Sequence, residues 1–117
     1  MKYLLINQLA PFNSNTAQES LDLAIALSTF EQKVQLLFLG NGVLQLLKNQ
    51  QPKLIYRKDF ITTFRALTMY DISEIYVDKD SLHERMISKD DLIIDATVVN
   101  TGNIAKIMEE ADIVLNF

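Results

Sequence analysis

Five short apolar runs, each closed by polar or turn-forming residues, restrict what this chain can fold into more than any other feature. They are KYLLINQ at 2 to 8, VQLLFL at 34 to 39, EIYV at 74 to 77, DLIIDA at 91 to 96 and DIVLNF at 112 to 117. A continuous apolar run of this length reads as a strand buried on both faces rather than a strand with one wet side. The segments between them carry helical spacing. Thr16 followed by Glu19 forms a capping-box pattern, and Leu21, Ala24, Ile25 and Ser28 then recur at helical intervals, so a helix is expected over about 16 to 30. Gly40-Asn41-Gly42 stops the second run, and Val43 to Leu47 is expected to form a helical turn. Asp59 is placed to cap a second major helix in which Phe60, Phe64 and Leu67 line one face. Ser81 to Met86 reads as one or two helical turns, and Asn103 to Glu110 as the last helix. Strands alternating with helices predict an α/β fold: a three-layer α/β/α sandwich around a mostly parallel, about five-stranded sheet, in one domain over 1–117.

Composition narrows the functional classes. Hydrophobic residues make up 49% and charged residues 22%, ordinary for a globular domain. A chain of this length buries roughly 65% of the surface its unfolded form exposes, enough for a core of its own. LLFL at 36 to 39 and the patch from Leu23 to Leu27 are far shorter than the ~20 residues that cross a bilayer, and the N-terminus lacks a signal-peptide pattern, so no membrane association and a cytoplasmic location are expected. The 117 residues contain no cysteine, which excludes disulfides, thiolate metal sites and a cysteine nucleophile. Charge is polarised along the chain. Residues 32 to 66 hold six bases against Asp59 alone, a balance of +5, and residues 67 to 117 hold eleven acids against four bases, a balance of -7. With a net charge of -4 no direct nucleic-acid binding is expected; the polarity suits either solvation or packing against charged partners.

Ligands of parallel sheets sit beyond the carboxyl ends of the strands, and those ends are chemically poor here. No glycine lies between Met1 and Leu39, which excludes a dinucleotide fingerprint or a P-loop after the first strand. Asn7 and Gln8 stand where a phosphoacceptor domain needs clustered acids, and Ser14 or Thr16 is read as a helix cap. His83, the only histidine, has no nucleophile beside it, because Ser81 two positions away on a helix faces elsewhere; a surface or interface place is expected. Asp90 and Asp91 are expected to initiate the fourth strand and Asp95 to end it, and Thr101-Gly102-Asn103 to form a turn and N-cap. No metal-ligand spacing is present, and neither metal nor cofactor is expected. Phe60, Phe64 and Tyr70 read as core or interface packing, with tyrosine the best suited to an interface.

The run KDFITTFRALTMYDISEIYVDKDSLHER at 58 to 85, preceded by FLGNGVLQLL and followed by DIVLNF, resembles the TusC/DsrF branch of the DsrE/DsrF sulfur-relay family. The matching stretches span nearly the whole chain: Asn41-Gly42-Val43 with Gln45-Leu46-Leu47, Phe60 to Phe64, Tyr70-Asp71-Ile72, Ser81-Leu82 with Glu84-Arg85, and Ile113 to Phe117. The resemblance implies the same α/β fold and a place beside TusB-like and TusD-like partners in a heterohexamer. That complex passes persulfide sulfur toward a downstream acceptor, ending in 2-thiouridine at the tRNA wobble position. It places the reactive cysteine of the sulfur-carrying relatives near Asp78, where a persulfide cannot form, and so implies an accessory subunit without catalysis of its own. Subunit contacts are then expected from Phe60, Phe64, Tyr70, Asp71, Ser81 and Arg85. Two departures stand out: Asn41 where relatives tend to have aspartate, and Met86 where they follow the Glu-Arg pair with glycine. A different class of function, a homo-oligomeric small-molecule or nucleotide-binding module, is suggested by the polar loop Asn13 to Thr16.

Overall fold

The computed structural model describes residues 1–10, 16–47 and 64–117. Five parallel strands form one sheet in the order β4-β3-β2-β1-β5, where β1 is Lys2–Asn7, β2 Lys33–Phe38, β3 Glu74–Asp78, β4 Thr97–Val99 and β5 Ile113–Asn116. Among the described residues lie the helices α1 (Thr16–Thr29), α2 (Lys79–Glu84) and α3 (Thr101–Glu110), and residues 64–66 are helical as well. Shorter 3-10 segments occupy Gly40–Leu46, Leu67–Tyr70 and Lys89–Asp91.

The direction of winding decides which face each helix covers. From β1 to β4 the chain steps one way across the sheet, then reverses to lay β5 beside β1; right-handed crossovers therefore put α3 on the opposite face from α1. Leu5, Val34, Leu36, Phe38, Ile75 and Val77 turn to the first face, where they meet Ala17, Leu21 and Ala24 of α1 and Leu82 of α2. Leu4, Ile6, Leu37 and Val99 turn to the second, under Ile104 and Ile107 of α3. The expected three layers are present. The central strands are apolar on both faces because both are covered: Leu4 to Asn7 and Val34 to Phe38 are buried without interruption, whereas β3 alternates and β5 is only half-buried.

The fourth strand is displaced from its expected position. Residues 91 to 96 do not form it; β4 is Thr97–Val99, paired with Tyr76 to Asp78. Two local interactions take the earlier residues away from the sheet. Ser88 and Asp91 close a reciprocal capping box on the 3-10 helix Lys89–Asp91, so Asp90 and Asp91 belong to a helix rather than starting a strand. Ile93 then donates its N–H to Leu46 O at 2.7 Å and Leu92 bridges antiparallel to Leu47, which ties the apolar run to the segment after β2. Asp95 precedes the strand, fully exposed, with Lys89 Nζ 3.8 Å away. The last helix likewise starts at Thr101, two residues before its expected start, because Asn100 is the cap: its side chain accepts from Asn103 N at 2.8 Å while the Asn103 side chain accepts from Asn100 N.

Candidate functional site at the carboxyl edge of the sheet

The carboxyl ends of β1, β2 and β3 are drawn together by a set of polar groups. Asn7, the last residue of β1, is fully buried; its Nδ2 donates to Leu5 O at 3.2 Å and Leu37 O at 3.5 Å, and its carbonyl accepts from Leu39 N at 3.1 Å. The chain leaving β2 then turns at Gly40, whose φ of +57° lies in the left-handed region. Gly42 next crosses directly over β1: a Cβ there would sit 1.8 Å from Asn7 O. Only glycine permits that approach.

The next strand end is held to the same turn. Asp78 closes β3 and caps α2, accepting from Ser81 N at 3.1 Å and from Ser81 Oγ at 2.5 Å, both at Oδ2. Ser81 Oγ in turn accepts from Gly40 N at 2.8 Å. Arg85 spans the junction, donating from Nη1 to Ser81 O at 3.1 Å and from Nη2 to Asn41 Oδ1 at 2.9 Å. Gln45 Nε2 donates to Leu9 O at 2.8 Å, and Gln8 Nε2 to Asn116 Oδ1 at 3.1 Å, which brings in the ends of β1 and β5.

This arrangement positions backbone rather than reagents. Ser81 is buried, its hydroxyl hydrogen donated to Asp78 and its oxygen accepting from Gly40 N, so one side chain ties the end of β3, α2 and the Gly40 turn together. His83 is exposed on α2 while Ser81 is buried, as the helical spacing of the two requires. Among the described residues no group of three potential metal ligands comes together.

The sequence-predicted residues separate into distinct environments. Phe64 is 1% exposed and packs in the chain's own core, its ring 5.9 Å from that of Phe38. Tyr70 and Asp71 lie on the surface at the far end of the molecule from Asp78, Ser81 and Arg85. Phe60 and the loop from 13 to 15 lie outside the described residues, as does the start of the helix expected from Asp59; Thr16 is the first residue of α1. Residue-by-residue reading missed Asn7 and Gln45 as structural polar groups. Their signal was an amide inside an otherwise apolar stretch, which burial makes costly unless it is bonded.

Met86 meets the demand that a glycine would meet more cheaply. It has φ 55° at the end of α2, where Met86 N donates to His83 O and Ile87 N to Leu82 O. This is the helix-ending motif that calls for a left-handed residue. Asn41 accepts from Arg85 as a neutral amide.

Comparison with known proteins agrees with this architecture. The model of the DsrE/DsrF-like family matches residues 1–117. A protein TusC homolog of Aliivibrio fischeri is 36% identical over 110 residues, covering 94% of this chain and 93% of the relative. The intracellular sulfur oxidation protein DsrF of Allochromatium vinosum is 34% identical, covering 99% and 96%. The crystal structure of the ychN protein from E. coli superposes with a TM-score of 0.85 at 27% identity, covering 100% of this chain and 99% of that one. A matching family model along the whole sequence, relatives above 30% identity and the shared fold lead to one conclusion: the chain belongs to the DsrE/DsrF-like family.

Proposed function

We propose that this chain is an accessory subunit of a sulfur-relay complex, assembled with TusB-like and TusD-like partners in the cytoplasm and serving 2-thiouridine formation at the tRNA wobble position. The observation that carries the reading is the state of Asp78. The resemblance assigns the neighbourhood of this residue to the reactive cysteine of the sulfur-carrying relatives, and here it is a carboxylate committed to capping α2 and holding Ser81. A carboxylate forms no persulfide, and the 117 residues offer no thiol in its place. The subunit's contribution is then a rigid carboxyl edge and a surface for its partners, which hold the sulfur.

Tyr70 and Asp71 are the exposed members of the proposed contact set, while Arg85 is half-buried and Phe64 and Ser81 are buried. Co-expression with TusB-like and TusD-like chains tests the reading. The three are expected to co-elute as one species, with a persulfide label on the partner's cysteine alone. A chain that elutes by itself at micromolar concentration overturns it.

A further inference from the structure

Two helix endings meet at the amino edge of the sheet, and both turn the same pair of residue types outward. α1 runs out into Phe30 and Glu31, and the 3-10 helix Leu67–Tyr70 runs out into Asp71; in each case an aromatic residue precedes a left-handed acid, with φ 61° at Glu31 and 58° at Asp71. Ser28 Oγ donates to Tyr70 O at 2.6 Å and fastens one ending to the other. A cavity of about 390 Å³ lies between them, lined in part by Ser28, Glu31, Tyr70 and Asp71.

The apolar side chains of this junction make little contact within the chain. Phe30 is 76% exposed, Met69 83% and Tyr70 39%. The turns are held by other groups: Leu67 and Ile72 are buried in the core beneath the second, and Glu31 N to Ser28 O and Asp71 N to Thr68 O close both. A phenylalanine, a methionine and a tyrosine exposed around two joined turns form the kind of apolar surface that association buries. Its surroundings are acidic. Lys33 Nζ stands 3.7 Å from Glu74 Oε1, which leaves Glu31 and Asp71 exposed and without an ion pair among the described residues. Like charge opposes a second copy of this chain on the same surface, and it opposes an anionic lipid surface as well. Charge complementarity selects a protein surface with lysine or arginine beside an apolar hollow.

We propose that this junction is the docking surface for a partner subunit, with Phe30, Met69 and Tyr70 as apolar anchors and Glu31 and Asp71 as a rim that pairs with that subunit's lysine or arginine side chains. The partner's identity rests on the sulfur-relay reading, which the assignment deepens: the contact moves from the carboxyl edge, whose polar groups are bonded to one another, to the amino edge. Phe30, Met69 and Glu31 lie outside the contact set expected from the sequence.

The chain has no cysteine, so Thr29→Cys beside Phe30 supplies a single thiol without altering an anchor. The complex with TusB-like and TusD-like chains is treated with a maleimide, and labelling is read on this chain by its mass. Labelling about tenfold slower in the complex than in the isolated chain is expected, because a docked partner excludes solvent around its anchors. Phe30→Ala removes no core contact, so it should leave the melting temperature of the isolated chain unchanged while weakening the complex roughly tenfold or more. Glu31→Lys should weaken it about tenfold, whereas Glu109→Lys, an equal change of charge on α3 over the other sheet face, should not. A complex that forms while Thr29→Cys is labelled at the isolated-chain rate overturns the docking surface and leaves the relay reading standing. Full affinity with Phe30→Ala, or equal weakening by Glu31→Lys and Glu109→Lys, overturns it too. Absence of any complex overturns the relay reading together with this occupant, and self-association of the isolated chain that protects Thr29→Cys assigns the surface to a second copy instead.

Discussion

Gly42 is the residue at which the fold tolerates least. Its Cα lies against the backbone of Asn7, so a methyl group at this position meets a carbonyl oxygen at 1.8 Å and a carbonyl carbon at 2.6 Å. Neither neighbour is a flexible side-chain end that can swing aside. Asn7 is anchored through its side chain to Leu5 and Leu37, and its carbonyl holds Leu39. Gly42→Ala should therefore cost about 3 kcal/mol and lower the melting temperature by roughly 10 °C, measured by calorimetry. The sequence singled out the Gly40-Asn41-Gly42 turn but gave it a different reason, a stop to the preceding strand. Glycine's backbone freedom is used at Gly40, while Gly42 is needed for lack of a side chain, and only the crossing of two distant segments reveals that difference.

Helix endings carry the argument at the scale of elements. The chain has three glycines, and none follows a helix. The ends of α1, the 3-10 helix Leu67–Tyr70 and α2 are instead closed by Glu31 at φ 61°, Asp71 at φ 58° and Met86 at φ 55°. Each makes the same pair of bonds back to its helix: Glu31 N to Ser28 O with Gln32 N to Leu27 O, Asp71 N to Thr68 O with Ile72 N to Leu67 O, and Met86 N to His83 O with Ile87 N to Leu82 O. A side chain in this conformation costs on the order of 1 kcal/mol relative to glycine. Met86 is 93% exposed, so its side chain contributes little in return. Met86→Gly is expected to stabilise the chain by about 1 kcal/mol in urea denaturation, with an unchanged dependence on denaturant. Unaltered or lowered stability would mean that the freedom glycine adds to the unfolded chain cancels the relief of the left-handed conformation. Two of the three left-handed residues, Glu31 and Asp71, line one cavity at the amino edge of the sheet.

At the scale of the whole molecule, the two edges of one sheet differ in character. The carboxyl edge, with Asp78, Ser81 and Arg85, is closed upon itself by hydrogen bonds. The amino edge presents exposed apolar and acidic groups: Met69 is 83% and Tyr70 39% exposed beside the cavity. Truncating Tyr70 separates fold from assembly, because the bond that fastens this turn runs from Ser28 Oγ to the Tyr70 backbone carbonyl at 2.6 Å and survives loss of the ring. Tyr70→Ala should therefore leave the melting temperature of the isolated chain within a few degrees while weakening the complex about tenfold or more by analytical ultracentrifugation. Unchanged complex affinity would place the contact on another surface, such as the second sheet face, where α3 contains no fully buried residue.

The extent of what could be read without coordinates follows from the range of the forces involved. Continuous apolar runs of strand length, a capping pattern at Thr16 and helical spacing through Ala24 are local signals, and the parallel sheet with helices on both faces followed from them. The missing thiol was equally plain, because composition needs no geometry. The DLIIDA segment misled because its apolar character was real while its partner was unknown: Leu92 and Ile93 bond to Leu47 and Leu46 after β2, leaving the less apolar Thr97–Val99 to extend the sheet. Phe64 and Tyr70 looked alike as aromatic residues of one stretch, yet one packs on Phe38 in the core and the other walls a surface cavity. The sequence by itself determined the class of fold and the impossibility of a persulfide on this chain. Tertiary structure alone decided that Gly42 must pass over Asn7, that Asp78 is bound to Ser81, and that Glu31, Asp71 and Glu74 share one cavity. Those facts depend on contacts between segments far apart in sequence, and only the assembled sheet sets such distances.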